Sequence, residues 1–255
     1  MKAAPARLDL APLFGSRVPQ AAQLYSVLEG TNPGTLLVDQ ILAPSWCVVR
    51  PAAGANTFVG GKITGADLTE VLSFLLRDDW ACIAVGYNPA TSLSLPFVHD
   101  VIQRLEFRDR LYDTDHLVQQ AAASLPSDCV VKPMDRDLFD ACQWRELHCR
   151  ACGGAEQFLS NGIGYCMLRR GRIVCEGYAA FIGGGLADIG VITHAEHRHQ
   201  GYAWMTCAHV VAECEMRGME TRWACDVANT ASAAVARKLG YATELQYALA
   251  RYKKR

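Results

Sequence analysis

Between residues 162 and 249 the sequence changes hydrophobic period several times, and glycine stands at most of the changes. Residues 162–169 and 173–182 read as strands joined by a turn at Arg170 and Gly171. Gly183, Gly184 and Gly185 then turn the chain into a third strand over residues 186–193. A helix follows over residues 203–217. Its apolar Cys207, Val210, Val211 and Cys214 fall at i, i+3, i+4 and i+7, and Gly218 stops it with Arg217 in the last turn. Residues 221–225 make a short strand, Asn229 caps a helix over residues 230–239, Gly240 ends it, and residues 241–249 make a last strand. Three strands, helix, strand, helix, strand is an order that predicts an α/β fold, with a mixed central sheet flanked by helices. A strand at residues 129–131 and a helical stretch at residues 136–148 precede it.

The 255 residues suffice for one large domain or two small ones. Residues 124–128 interrupt the pattern, so an additional N-terminal α/β region over residues 1–125 is expected to pack on a second domain over residues 126–255. The first region is less legible. Val71, Leu72, Leu75 and Leu76 predict a helix at residues 69–76. Residues 80–85 predict a buried strand ended by a turn at Asn88 and Pro89, and residues 36–42 fit either state. No nucleophile motif, metal cluster or phosphate loop occurs before residue 125, and no internal repeat is visible in the chain.

With 51% apolar and 20% charged residues and a formal net charge of −1, a packed protein is expected, without an electrostatic footprint for nucleic acid. Arg251, Lys253, Lys254 and Arg255 read as a solvated tail. No apolar run approaches the ~18 residues of a membrane helix. Pro5, Arg7 and Asp9 interrupt any signal-peptide core, so a cytoplasmic location is expected. Most of the 11 cysteines lie in apolar stretches and read as small buried hydrophobes. Cys149 and Cys152, near His148 and Cys142, lack a second ligand pair at a regular distance, so a helix end is expected there rather than a zinc or redox site.

The segment from His197 to Ala203 lies between a strand and a helix. Amide N–H groups at a helix start are unsatisfied and attract anions. Gly201 lets the backbone approach a phosphate, and Arg198 adds a charge-assisted contact. A plain structural turn has the same ingredients, so the neighbours decide. Arg198, Gly201 and Ala203 match the pattern Arg/Gln-x-x-Gly-x-Gly/Ala and follow the strand over residues 188–193. The helix beginning at Asn229 ends in Lys238, Leu239, Gly240 and Tyr241. Two motifs in this order resemble the acetyl-CoA-binding core of the GNAT superfamily of N-acyltransferases, clearly over residues 160–245 and in outline from residue 128. The whole chain is similar to a bacterial subgroup with an extra N-terminal region, including zwittermicin-resistance-type acetyltransferases, on its Trp-rich approach and the run Cys225, Asp226, Asn229 and Ser232.

The resemblance implies a splayed sheet in which the backbone of Val191, Ile192 and Thr193 pairs with the pantetheine arm of acetyl-CoA. It implies that Arg198, His199, Gln200, Gly201, Tyr202 and Ala203 hold the pyrophosphate, and that Asn229, which also suits a plain helix cap, bonds the cofactor near the arm. The expected activity is direct transfer of an acetyl group from acetyl-CoA, the co-substrate, to a primary amine of a small molecule or peptide. No metal, nucleic acid or membrane is expected to take part, and a homodimer stays open. Asp188 is the first candidate base, because family members carry an acidic residue on this strand. It is usually Glu, and the shorter Asp leaves room for a relayed water, or for a merely structural Asp. His194 and His197 on the rim of the turn are further candidates, or simple surface residues. The family's Tyr on the last helix is replaced by Ala236. Asn229, Ser232 and Ala236 share a helix face, so Ser232 can approach the sulfur or bind cofactor; Tyr202, Tyr241 or water are the other acids considered. From another class, the alternative is a non-catalytic acyl-CoA-binding module with a sensing or regulatory role.

Overall fold

The computed structural model describes residues 1–54, 56–76, 81–85 and 98–253. The expected turn at Asn88 and Pro89, and Trp80 at the start of the expected strand, lie outside them. The first half runs β1 (Lys2–Ala4), a 3-10 turn (Leu8–Phe14), α1 (Ala21–Leu28), β2 (Gly34–Val38), β3 (Trp46–Pro51), β4 (Asn56–Gly61), α2 (Gly65–Leu75), β5 (Ala81–Val85), β6 (Asp100–Arg110) and α3 (Thr114–Ala123). The second half runs β7 (Cys129–Pro133), α4 (Arg136–Ala141), α5 (Arg145–Cys152), α6 (Ala155–Asn161), β8 (Ile163–Arg169), β9 (Arg172–Gly183), β10 (Leu186–Thr193), α7 (Tyr202–Met216), β11 (Glu220–Asp226), α8 (Thr230–Lys238) and β12 (Tyr241–Tyr252).

All strands join one 12-stranded sheet in the order β1-β2-β3-β4-β5-β12-β6-β11-β10-β9-β8-β7. That order repeats itself about its centre. Each arm carries an antiparallel meander whose last strand pairs in parallel with the next, β4 with β5 and β10 with β11. Each arm is then completed by the final strand of the other half. The register makes the relation quantitative. Phe107 pairs with Trp223 and Trp223 with Ile189, while Ala250 pairs with Ile83 and Ile83 with Thr57. Laying one ladder on the other carries Asp188 onto Asn56 and Arg104 onto Tyr247, and Arg104 and Tyr247 pair with each other. A pseudo-twofold axis therefore passes between these two residues. The expected absence of an internal repeat is corrected at the level of topology: strand order repeats, although the side chains have diverged. The connection near residue 125 joins α3 to β7, and the halves exchange strands across it.

Local chemistry explains most element ends. Arg170 and Gly171 both have positive φ, 51° and 79°, the type I′ turn whose twist suits a hairpin. Asp113, Asp135 and Asn229 cap α3, α4 and α8 by accepting the third following amide N–H. The expected helix over residues 136–148 is instead two helices, broken at Cys142, whose ψ is 141°. The buried Glu176 carboxylate takes the N–H groups of Gln143 at 2.7 Å and Trp144 at 3.3 Å, drawing them out of the helical pattern. Helix α5 closes at Gly153 in the left-handed region, so Cys149 and Cys152 do sit at a helix end.

Helices cover both faces of the second arm. Along β9, Gly177 faces Thr206, Cys207 and Val210 of α7, while Glu176 and Tyr178 face the α4–α5 side. Helix α1 crosses onto that same side. A Cβ at Gly183 would run into the backbone of Ser26, and one at Gly184 would meet Tyr25 Cδ2 at 2.7 Å. Gly183 and Gly184 are thus the surface on which a helix from the first half lies against β9 and β10.

Candidate active site

Strand β9 carries one extra residue opposite β10: Asp188 pairs with Phe181, but Ile189 pairs with Ala179. Such a bulge bends the strand and frees a backbone group. The carbonyl of Ala180 accepts instead from Asn32 Nδ2 at 2.9 Å. Just past the bulge, Gly190 lies under the Tyr178 ring, with no room for a Cβ. The bulge and the glycine leave Asp188 at the wall of a cavity of about 240 Å³, together with Gln20, Gln23, Asn56, His148 and Tyr178.

Gln23 Nε2 donates to Asp188 Oδ2 at 2.7 Å, and Gln23 Oε1 accepts from Asn56 Nδ2 at 2.8 Å. Asn56 also donates to Gln20 Oε1, and Gln20 Nε2 donates to the Tyr247 hydroxyl at 2.7 Å. Arg104 Nε donates to the same hydroxyl at 3.4 Å and its Nη1 to Asp226 at 2.7 Å. Asp188 and its pseudo-symmetric counterpart Asn56 are therefore joined through one glutamine. Burial raises the Asp188 carboxyl to about 6; the Gln23 hydrogen bond opposes the rise, Glu106 adds to it, and Arg104 opposes it. Gln20 holds this network from a left-handed conformation, φ 56°, with its own N–H donating to the buried Glu106. Such backbone strain in a side chain with a Cβ persists only where its surroundings fix it.

His148 on α5 is 0% exposed, and neither ring nitrogen has a hydrogen-bond partner. Its ring stacks on Phe158 at 4.8 Å and meets Tyr178 edge-on at 4.4 Å. Burial lowers its pKa to about 4, so the imidazole is neutral at physiological pH. A buried polar group left without a partner costs about 1–3 kcal/mol.

Beyond the cavity the sheet opens. Strand β10 pairs with β11 only over Leu186 to Ile189, while Val191, Ile192 and Thr193 keep β9 alone as a partner. On the far side of the gap β11 continues against β6 through Asp226. The chain leaves β10 through His194, whose Nε2 lies 3.2 Å from Glu176 Oε1, and through a short 3-10 turn. His199 and Gly201 take positive φ, 61° and 79°, and α7 starts without a side-chain cap. Arg198 Nε donates to the Thr193 carbonyl at 3.2 Å, which folds its guanidinium over the end of β10. Tyr202 turns inward, with its hydroxyl donating to Gln200 at 2.8 Å, and Ala203 is half-buried in the first turn.

A family model described as GNAT acetyltransferase matches residues 11–250. The chain belongs to this family. It is 24% identical over 237 residues to the uncharacterized N-acetyltransferase YdfB of Bacillus subtilis (strain 168), covering 89% of this chain and 88% of that one. In fold it is similar to a GCN5-related N-acetyltransferase-like protein from Streptococcus suis 89/1591, with a TM-score of 0.73, 24% identity, and coverage of 94% and 96% of the two chains. A tandem GNAT protein from the clavulanic acid biosynthesis pathway shares the fold at a TM-score of 0.59 and 12% identity, with 95% of this chain and 91% of that one covered. The GNAT chain described here is an acyltransferase enzyme on these grounds.

Within this GNAT fold, α8 stands on the α7 face. Asn229 accepts from the Ser232 N–H at 3.1 Å, and Ser232 Oγ accepts from Trp223 Nε1 at 3.0 Å. Ser232 also hydrogen-bonds Cys225, whose thiol burial pushes up and this bond pulls down. Asp188 bonds α1 on one face of the sheet and Ser232 bonds Trp223 under α8 on the other, so the two approach the gap from opposite sides. Ala236 is fully buried, and Tyr241 is buried in the same core. The sequence pattern missed Gln23, Asn56, Arg104, His148 and Tyr178. Only His148 carried a local signal, its helical spacing from Trp144, Ala151 and Cys152.

Proposed function

We propose that this GNAT enzyme moves the acetyl group of acetyl-CoA directly to a primary amine of a small molecule or peptide. The observation that carries the reading is the divergence of β10 from β11 beside Asp188. A strand edge from Val191 to Thr193 with no second strand beside it suits the amide-bearing pantetheine arm. The uncapped start of α7 and the positive φ of Gly201 suit a pyrophosphate. In this reading Arg198 to Ala203 cradle the phosphates and Asn229 offers its amide near the arm. Asp188 takes the amine proton, directly or through water, as the new C–N bond forms and the C–S bond breaks. The departing thiolate takes a proton from water or from Ser232, the hydroxyl on α8.

The first arm serves in this reading as a diverged GNAT unit that completes the acceptor pocket. It repeats the strand order of the second arm and supplies Gln20, Gln23 and Asn56 to the cavity, while Arg104 comes from β6, the first-half strand that completes the other arm. Its helix α2, in the place of α7, is capped by Thr64 and carries Asp67 in its first turn, which opposes an anion there. The 11 free thiols suit the reducing cytoplasm, and no helix of the described residues is long and apolar enough to cross a membrane.

Thiol release from acetyl-CoA with a panel of primary amines tests the proposal. Acceptor-dependent release is expected. Thermal stabilisation by acetyl-CoA, with no release over any amine, would instead identify a binding module, the reading that Ala236 in place of the family's Tyr favours.

A further inference from the structure

The cavity beside Asp188 holds an unused recognition group. His148 forms part of its wall, fully buried, with both ring nitrogens unpartnered. Its slot is otherwise aromatic, made by Phe139, Phe158 and Tyr178. A phenyl ring would fill that slot without leaving polar atoms unsatisfied, so packing alone does not call for an imidazole. Among the other polar groups of the wall, the Tyr178 hydroxyl lies over Gly190, and the amides and the guanidinium are already committed. The carboxamides of Gln20, Gln23 and Asn56 bond one another, Asp188 and Tyr247, while the Arg104 guanidinium is held by Asp226 and Tyr247.

We propose that His148 selects, for the acetyl transfer inferred above, a small primary amine that also carries a neutral hydrogen-bonding group, a hydroxyl or a carboxamide, and that the imidazole bonds this group while Asp188 faces the amine. The inference rests on the acetyl-transfer reading for its reaction, and on the cavity alone for its ligand. A neutral imidazole offers one N–H donor and one lone pair, and a hydroxyl or an amide can satisfy either. A carboxylate would call for a free cation, and among the described wall residues the one cation, Arg104, is ion-paired at 2.7 Å. A second ammonium would face a neutral ring buried against three aromatics. The room, about 240 Å³, is less than a drug-sized ligand fills and suits an amino alcohol, an amino amide or the first residue of a peptide.

The test uses matched probes: ethanolamine, 3-amino-1-propanol and glycinamide against propylamine and butylamine. With acetyl-CoA, wild type should favour the best polar amine over its alkyl match by 10-fold or more in kcat/KM. His148→Phe should bring that ratio to about one, chiefly by lowering kcat/KM for the polar amines, without lowering the melting temperature. His148→Gln, which keeps a donor and an acceptor, should restore part of the preference, and it carries the comparison if the Phe variant does not fold. Nitrogen chemical shifts of ¹⁵N-labelled imidazole, recorded with CoA present, should move with the amino alcohols and amides but not with the alkylamines. Equal ratios in wild type and variant, or an equal loss on both amine classes together with a lower melting temperature, overturn the proposal. If wild type acetylates none of the probes, the acetyl-transfer reading fails instead. The imidazole shifts then decide this inference alone: selective movement upholds it, and none overturns it.

Discussion

Gln23 on α1 donates a 2.7 Å hydrogen bond to Asp188 on β10, across 165 residues of chain. The bond exists because Gly183 and Gly184 let α1 lie on the β9–β10 hairpin, and because Asn56 fixes the Gln23 amide from the other side. A hydrogen bond to the ionised carboxylate favours that form. Gln23→Ala should therefore raise the Asp188 pKa above its present value of about 6. The pH at half-maximal rate should move up by a measurable fraction of a unit, and kcat at pH 7 should fall roughly 3–30-fold, the scale of one lost orienting hydrogen bond at ~1 kcal/mol or more. The KM for acetyl-CoA should not change. A pH–rate profile that stays put would show that the bond is structural only.

Asp188 itself gives a steeper expectation. Its carboxyl is raised to about 6 by burial, so the active ionised form fills in as pH rises from 5 to 7. The rate should climb through that window and level off above it. Asp188→Asn should lower kcat on the order of 100-fold, the usual contribution of a positioned base, and remove the rise. The sign for stability is opposite. A carboxyl with a raised folded pKa binds protons more tightly when folded, so its contribution declines as pH rises from about 4 to 6. The Asn variant should lose that decline, which thermal melts across the window would read.

The legibility of the chain divides along the same line as its chemistry. In the second half, Gly171, Gly185, Gly201, Gly218 and Gly240 all take positive φ at element ends, so glycine marks the boundaries that the periods suggest. In the first half β3 and β4 are buried on both faces, and their apolar runs carry no period. Strand β6 was not anticipated, because Arg104, Glu106, Arg108 and Arg110 make it look solvated. In the fold their charges are paired with Asp226, Arg108, Glu106 and Glu215 at the junction of the arms. The repeat stayed hidden for a related reason: its counterparts, Asp188 with Asn56 and Arg104 with Tyr247, share no residue type. Asp188 and the turn from Arg198 to Ala203 could be singled out as candidates because a strand, a turn and a helix lie in sequence there. Gln23 and His148 reach the same cavity only through tertiary packing.

On the proposed reading, the turn at Gly201 should tie backbone conformation to cofactor affinity. Its φ of 79° lies in the left-handed region, and a Cβ there would meet Trp204 Nε1 at 3.2 Å. Gly201→Val should weaken acetyl-CoA binding by about 10-fold or more, from left-handed strain on the order of 1–2 kcal/mol in a β-branched residue and from lost approach to the phosphates. Arg198→Ala, which removes a charge rather than a conformation, should raise the dissociation constant several-fold, and salt should narrow the difference from wild type. Isothermal titration at two salt concentrations separates the two effects.

Gly183→Ala tests the docking of α1. The new methyl would collide with the Ser26 backbone, which cannot rotate away as a side chain would. Overpacking of this kind costs about 1–3 kcal/mol, and at roughly 2–4 °C per kcal/mol the melting temperature should fall by several degrees. Because the shifted helix carries Gln23, the variant should also show the pH–rate shift expected of Gln23→Ala. A lower melting temperature with an unaltered pH–rate profile would uncouple α1 docking from the base.

His148 makes a prediction about acid stability that needs no substrate. Burial holds its folded pKa at about 4, below the ordinary value of 6.5 for the unfolded chain. Between those values the unfolded state binds more protons, so the contribution of a neutral His148 is complete above about pH 6.5 and is lost as pH falls toward 4. The loss amounts to ~3 kcal/mol at the low end, at 1.36 kcal/mol per pKa unit. Over pH 4 to 6 Asp188 acts in the opposite direction, so wild type alone shows a blunted response. The comparison with His148→Phe isolates the imidazole, because both proteins keep Asp188. The variant's melting temperature relative to wild type should rise steadily as pH is lowered from 7 to 4.5. A difference that stays constant over that range would mean that His148 gains a proton partner in the folded protein, and that its neutral form is not what the cavity presents.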